Sequence, residues 1–548
     1  MAQASSSPGK AAKDNLATIE GQVRNSLTGE PIAKADLILT PASAGADSWT
    51  QSYATHSDAS GKFEIHNITP GKYRLRASRR GFVARELGAG AVGKSGAILD
   101  LAAGNQQLQR AKDILLVPQS VIAGRVLDSE GEPMERAQIQ LLRFRYVNGK
   151  KVLSTSATAY TNDLGEYRFS GIAPGKYSLY AANMEAPPPS SAITEQYLPI
   201  YYPDARDTTA AATLDLTPGS QLQAADMVLR KARTVTVKGR VASEIPGAVG
   251  APVVRLGLQN GHDDSAAHSR RSLPAKINRT TGEFEIQSVT PGSYVAIAEV
   301  AQGGRGYFGI ANLTVTGSDN INDLIIKIPN PISITGRIRV DSTGTGQANK
   351  AVPPAWNSGS VSLFHGGLGT VNKPEHQPLS ADGSFQFHDL PPRKYGILAS
   401  NLPDGFYMKS VVADGVDVTD TGVDCEAGSP APIELWISPS AGRVNGIVQG
   451  SSDSVDQPGI TVVLVPKDKS RRAIARLYQQ TATDAQGRFS FRNLAPGDYK
   501  VYAWEEVEPT SWLDPDFMEP IEDLGVVATV PAGGATSVDV KAIPANSR

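Results

Sequence analysis

The sequence predicts an all-β chain, five antiparallel β-sandwich domains in tandem, on three observations. The first is that GKFEIHNITPGKY, residues 61–73, is written five times. It returns as GEYRFSGIAPGKY from Gly165, GEFEIQSVTPGSY from Gly282, GSFQFHDLPPRKY from Gly383 and GRFSFRNLAPGDY from Gly487, at intervals of 104, 117, 101 and 104 residues. A period of roughly a hundred residues is too long for a solenoid and fits a string of small domains. Second, a shorter mark, Ile19-Glu20-Gly21-Gln22-Val23, precedes each copy and recurs at 122–126, 237–241, 334–338 and 444–448. Its glycine lies 40, 41, 43, 47 and 41 residues before the glycine that opens the longer motif, so both marks belong to one folding unit. Third, apolar residues alternate with polar ones through both marks and the runs between them, the period of a strand with one buried face.

Each unit opens on the shorter mark as a strand. A second alternating run follows, seen in Ala35-Leu37-Leu39, Ala137-Ile139-Leu141, Val361-Leu363 and Ile460-Val462-Leu464. A turn comes next, where Asp58 and Gly61, Asn162 and Gly165, Asp382 and Gly383, and Asp484 and Gly487 supply side-chain caps and permissive backbone. In the strand that follows, Phe63 and Ile65 point inward while Lys62, Glu64 and His66 point outward. Pro70-Gly71 fits the centre of a type II turn. Alternation then resumes with Tyr73 and Leu75 inward. In the fourth copy Arg393 replaces that glycine, where a left-handed backbone costs roughly 1 kcal/mol, so a changed turn or a small strain is expected there. A closing strand ends each unit, at 115–117, 227–229, 324–328, 433–437 and 538–540.

These elements divide the chain into a polar tail at 1–16, disordered in character, and sandwiches at 17–118, 119–232, 233–330, 331–439 and 440–548. Unit two carries the insertion APPPSSAITEQYLPIYYPDARD, unit three the polar loop NGHDDSAAHSRRS, and unit five YAWEEVEPTSWLDPDFMEP. Junctions are almost without linker, as at Val117-Pro118-Gln119-Ser120-Val121, which predicts a semi-rigid rod. A short helix is expected near Asp514–Asp523.

The chain has 548 residues with 53 basic and 55 acidic side chains, a net charge of −2, so no nucleic-acid partner is expected. Cys425 is the only cysteine, which excludes an intramolecular disulfide and a cysteine-rich metal site. No apolar run approaches the roughly 20 residues of a transmembrane helix. Ala2-Gln3-Ala4 is like the small residues beside a signal-peptidase cut, so a leader removed from the N-terminus is the expectation, with a cytosolic protein bearing a soft tail as the alternative.

The pair I-x-G-x-V and, some forty residues later, G-x-F-x-I-x-x-L-x-P-G-x-Y resembles the carboxypeptidase regulatory-like domain. The resemblance covers nearly all of the chain after residue 17. It implies a transthyretin-like (prealbumin-like) Greek-key sandwich, grouped with carbohydrate-binding-like folds, and an accessory role beside peptidases, outer-membrane receptors or surface adhesins. By that analogy the chain is an extracytoplasmic bacterial protein: secreted, periplasmic or on the cell surface.

Catalytic residues are not expected. The seven histidines form no H-x-x-E or H-E-x-x-H, so the zinc half of a carboxypeptidase is absent, and no G-x-S-x-G elbow occurs. A P-loop pattern at Gly88–Ser95 lacks the parallel strand and helix that make such a loop bind phosphate. Lys238, a lysine within an opening strand, points outward, against an internal isopeptide bond. His66 and His388 sit on the outward phase of their strands. The ligand-binding candidates are Tyr502, Trp504, Trp512 and Phe517, clustered with Glu505, Glu506, Asp514 and Asp516. Aromatic faces beside carboxylates suit sugar rings. The competing reading, which is favoured, has these rings fold back and cap their own sandwich, and Tyr197, Tyr201 and Tyr202 pose the same choice in unit two. The carboxylate spacing matches no calcium loop, and neither a metal nor another cofactor is expected. The expected function is a non-catalytic scaffold or binding protein. Its partner is a glycan or cell-envelope component, with a purely structural spacer, a protein-interaction arm, or an accessory of a peptidase or receptor as alternatives.

Overall fold

The computed structural model describes residues 16–42, 52–88, 96, 98–101, 108–110, 113–147, 149–183, 195–245, 252–259, 262–263, 273–302, 305–341, 359–364, 375–450, 459–472, 474–484 and 486–544. Strands dominate throughout, and the one α-helix among the described residues, Pro515–Met518, is four residues long. In the first repeat one sheet orders Lys62–Ile68, Ala17–Asn25, Ile114–Pro118 and Phe82–Val83 side by side. The other orders Tyr53–His56, Asp36–Pro41, Gly71–Ser78 and Arg85–Glu86. Between them lies a core that includes Ile19, Val23, Leu37, Leu39, Phe63, Ile65, Tyr73 and Leu75, which are the alternating apolar positions of the sequence. Equivalent cores form around Ile122 and Phe169, Val237 and Phe284, Ile334 and Phe385, and Val444 and Phe489.

The two marks keep a constant separation because they are cross-strand neighbours. Gly21 lies opposite Phe63, Gly124 opposite Tyr167, Gly239 opposite Phe284, Gly336 opposite Phe385 and Gly446 opposite Phe489, all in antiparallel register. The glycine leaves room for that ring and for the strand on its other side. A Cβ at Gly446 would stand 2.5 Å from Phe489 Cζ and 2.0 Å from the Val538 carbonyl oxygen.

That other strand is the closing one, and it runs parallel to the opening strand, not antiparallel. Val23 pairs with Ile114, Val126 with Met227, Val241 with Ile326, Ile338 with Leu435, and Val448 with Val540. The expected antiparallel sandwich therefore carries at least one parallel pair in each repeat. A parallel partner needs a long crossover, and the rest of the repeat supplies it.

The turn after Ile68 also differs from expectation. A type II turn needs φ near +80° at its second central residue. Gly175, Gly292 and Gly497 instead have φ of 146°, 158° and 150°, and Arg393 keeps an ordinary negative φ, so it carries no left-handed strain. The left-handed residue lies four positions earlier: Asn67, Gly171, Ser288, Asp389 and Asn493 have φ of 58°, 76°, 60°, 57° and 56°. Each sits beside a register shift against the opening strand, so it is the extra residue of a β-bulge. Asn, Asp and Gly tolerate that backbone best. The signature tyrosine then ties the corner. Tyr73, Tyr177, Tyr294, Tyr395 and Tyr499 each donate a hydroxyl hydrogen bond to the carbonyl four residues back, at 2.8, 2.9, 2.8, 2.8 and 2.9 Å.

The junctions are short, but the chain is not a straight rod. Only Gln119 separates Ile114–Pro118 from Ser120–Asp128, and its side chain donates to the Phe82 carbonyl at 2.8 Å. Further on, strand Lys150–Tyr160 of the second repeat takes His262–Asp263 of the third as a parallel neighbour. The turn of the hairpin that contains Lys150–Tyr160 also touches the fifth repeat. A linear array would keep the second and fifth repeats apart.

Candidate interaction site

In the fifth repeat strand Gly497–Trp504 is buried on both faces over its last four residues. Val501 and Ala503 face the sandwich core, while Tyr502 and Trp504 face a second cluster on the outer side of the sheet. The insertion covers that side. It runs through a 3-10 turn at Ser511–Leu513, the helix Pro515–Met518, which falls within the stretch where a short helix is expected, and a 3-10 stretch at Glu519–Leu524. Asp514 starts the helix by accepting from the Asp516 N–H at 3.0 Å, and Pro515 provides the fixed φ of a first helical position.

The four candidate residues come together here, with their rings on one another. Tyr502 stacks on Trp504 at 5.5 Å between centroids, and Trp504 on Trp512 at 6.3 Å. Tyr502, Trp504, Trp512 and Phe517 are 0%, 2%, 5% and 7% exposed, among Val463, Val465, Val507, Met518, Ile521 and Ile543. Rings enclosed in this way offer a sugar no open face, and the geometry matches a cap on the sheet. In the second repeat Tyr201 is likewise buried against Tyr180 at 5.1 Å, while Tyr197 and Tyr202 are half-buried.

A charged group that sequence reasoning missed braces the insertion. Glu522 binds Arg472 through two contacts of 2.5 and 3.0 Å and Lys500 at 2.7 Å, with all three side chains under a fifth exposed. Lys500 and Tyr502 also donate to the Glu522 carbonyl at 2.8 and 3.1 Å. The Arg472 guanidinium, with Lys500 adding to it, holds the Glu522 carboxyl at about 2 despite partial burial. Burial pushes the Tyr502 hydroxyl up to about 12. These residues lie far apart in the sequence, and no spacing signals them.

On the outer side of this cap sits the hairpin turn between strands Gln138–Val147 and Lys150–Tyr160 of the second repeat. Tyr146 meets Phe517 edge to face at 5.6 Å between ring centroids, and Thr510 Oγ1 donates to the Tyr146 carbonyl at 3.1 Å. Gly149, with φ of 76°, lies so close to Leu513 that a Cβ would fall 2.6 Å from the leucine Cβ. The Asn148-Gly149 pair marks a hairpin turn in the sequence, but nothing there names its distant contact.

The other residues named by sequence are dispersed. Among the described residues no three His, Cys, Asp or Glu side chains group closely enough to hold a metal. His66 and His388 are exposed, and Lys238 pairs with Glu285 at 3.4 Å on the surface. Residues 89–95 of the P-loop pattern lie outside the described residues. A shallow cavity of about 440 Å³ opens on the fourth repeat beside Arg337, Arg339, Gln386 and Glu434. Its arginines already pair with Asp382 at 2.8 Å and Glu434 at 3.4 Å. No helix among the described residues is long and apolar enough to cross a membrane.

Residues 18–102 and 121–194 match the carboxypeptidase regulatory-like domain, the family that the repeated marks resemble, and it is a regulatory module, not a catalytic one. Colossin-A of Dictyostelium discoideum is 24% identical over 287 residues, 48% of this chain and 2% of that protein, so the chain spans a small fraction of the relative it matches. Among solved structures, the streptococcal ancillary pilin is 12% identical over 57% of this chain and 98% of its own, with a TM-score of 0.19. The full-length major pilin RrgB of Streptococcus pneumoniae is 9% identical over 96% of this chain and 100% of its own, also with a TM-score of 0.19. Scores so low carry no functional argument.

Proposed function

We propose that the chain is a non-catalytic, extracytoplasmic scaffold of five tandem sandwich domains, divided at residues 118, 232, 330 and 439, that works through contacts with protein. One observation supports this most. The polar residues that recur with the repeat serve the backbone: Asp58 caps the Ser60 and Lys62 N–H groups at 2.8 and 2.9 Å, and each signature tyrosine hydroxyl binds a carbonyl. What is repeated is therefore a frame and not a reacting group.

The test is fractionation of the source cells with an antibody to this chain, together with a glycan-binding screen on the purified protein. The reading expects the chain in the envelope or medium, and no glycan binding that Trp512→Ala abolishes. A cytosolic location, or a hydrolytic activity lost on substitution of one side chain, overturns it.

A further inference from the structure

We propose that the second to fifth repeats are two stiff arms that a clasp holds shut and releases without unfolding either one. The second repeat with the third makes one arm, the fourth with the fifth makes the other, and residues 329–331 are the hinge between them. The clasp is the contact of the second repeat's hairpin turn with the fifth repeat's cap. The inference goes beyond the scaffold reading, since it needs no partner.

Each arm is stiff because backbone and charged groups cross its junction. In the first, the Leu198 N–H donates to the Arg230 carbonyl at 2.9 Å, and Glu195–Tyr197 of the insertion pairs with the connecting strand Lys231–Arg233. The Lys231 ammonium lies 5.1 Å from the centre of the Tyr197 ring, and Lys150–Tyr160 takes His262–Asp263 as its neighbour. In the second, the Ala441 N–H donates to the Gly405 carbonyl, and the Gly405 N–H to the side-chain oxygen of the bulge residue Asn493, both at 3.0 Å. Arg443 meets Asp404 at 2.5 Å and Arg471 meets Asp420 at 3.1 Å. Arg476, its side chain 7% exposed, donates to the Thr419 carbonyl at 2.6 Å and pairs with Asp420 as well. A charge enclosed and paired in this way is costly to separate from its partner.

The arms are joined differently. Between strands Ile321–Ile328 and Ile332–Val340 lies Pro329-Asn330-Pro331, outside both sheets, and its prolines lack the N–H that would draw them into a ladder. Asn330 is exposed and turns in both dihedrals, as a hinge residue must. Across this connection Tyr307 reaches Asp389 at 3.4 Å, longer than an ordinary O–H···O bond. The clasp joins neutral groups: the Thr510 hydroxyl and the Tyr146 carbonyl, the rings of Tyr146 and Phe517, and Gly149 against Leu513. Its two sides are braced separately, the hairpin by pairing from Leu142–Thr155 to Val147–Lys150 and the cap by the Arg472–Glu522–Lys500 group. Parting them therefore leaves both arms folded, and the chain has a closed and an open form.

Spin labels on introduced cysteines test the clasp, and Cys425 stays unlabelled because it is buried with its thiol pushed up to about 11. Leu164→Cys with Ile447→Cys spans the arms. Leu164→Cys with Val253→Cys lies within the first arm and Val416→Cys with Ile447→Cys within the second, all at exposed positions. Each pair should give one narrow spacing in the otherwise unaltered chain. Tyr146→Ala removes the ring contact and should raise the share of longer, broader spacings across the arms about fivefold, while both spacings within arms stay fixed. Gly149→Ala drives a methyl onto Leu513 and should do the same. Gly131→Ala, also at positive φ but with nothing for its Cβ to meet, should not. Motion across the arms with both arms fixed places the hinge at the third-to-fourth junction. An unchanged spacing across the arms in Tyr146→Ala or Gly149→Ala overturns the clasp, as does opening in Gly131→Ala or a broad spacing in the unaltered chain. A change within either arm overturns the stiff arms. Each of these outcomes leaves the scaffold reading standing.

Discussion

The hydroxyl of Tyr395 donates to the carbonyl oxygen of Pro391 at 2.8 Å, closing the corner between the bulged strand and the next one. The equivalent bond in all five copies explains why the motif ends in tyrosine where phenylalanine would pack as well. Tyr395→Phe should lower the stability of the fourth repeat by about 1 kcal/mol, read as a shift in urea midpoint with an unchanged slope. An unshifted midpoint would show the bond to be neutral.

Gly446 is held by contact on two sides. Gly446→Ala places a methyl against the Val538 carbonyl and the Phe489 ring, where neither strand can move away without breaking its ladder. A loss of several kcal/mol in the fifth repeat is expected, the upper range for a single substitution. Gly29→Ala is the comparison: its φ is 71° but its Cβ would meet nothing, so only the backbone cost of roughly 1 kcal/mol remains.

Glu522 links stability to acid. Its folded value of about 2 lies below the ordinary 4.5, so its contribution is fully present above pH 4.5 and is lost as pH falls towards 2. Glu522→Gln should remove that acid-sensitive part and destabilise the cap at neutral pH by about 3 kcal/mol, since Arg472 and Lys500 are left without their counter-charge. Thermal melting of both proteins between pH 2 and 7 measures the difference.

Trp512→Ala should cost about 3–5 kcal/mol, the loss for a large buried side chain. Hydrogen exchange should rise at Tyr502, Trp504 and the insertion while the first repeat is unaffected. Unchanged exchange across the insertion would mean that Trp512 does not hold the cap.

The fold was legible because its marks are contacts. Gly21 and Phe63 stand at a fixed separation in the sequence since they face each other across two strands. The bulge is also written there, as Asn67, Gly171, Ser288, Asp389 and Asn493, but the Pro-Gly that follows in four of the copies is the stronger turn signal in a sequence. Parallel pairing of the closing strand was not legible, since alternation reports which face is buried and not which way a neighbour runs. At the candidate site the aromatic residues were found by composition. Their burial, the Glu522 group and the contact of Tyr146 with Phe517 depend on how distant segments meet.

Because the opening and closing strands of each repeat lie side by side and point the same way, the polypeptide enters at one extremity and departs from the other. Tension along the molecule would load that pair lengthwise, so its rungs must rupture together and cannot peel singly. The pairing of Val448 with Val540, set among seven consecutive matched positions, makes the fifth repeat the most resistant link. Pro118 with only Gln119 before the next strand leaves almost no slack to absorb a pull before that resistance is met.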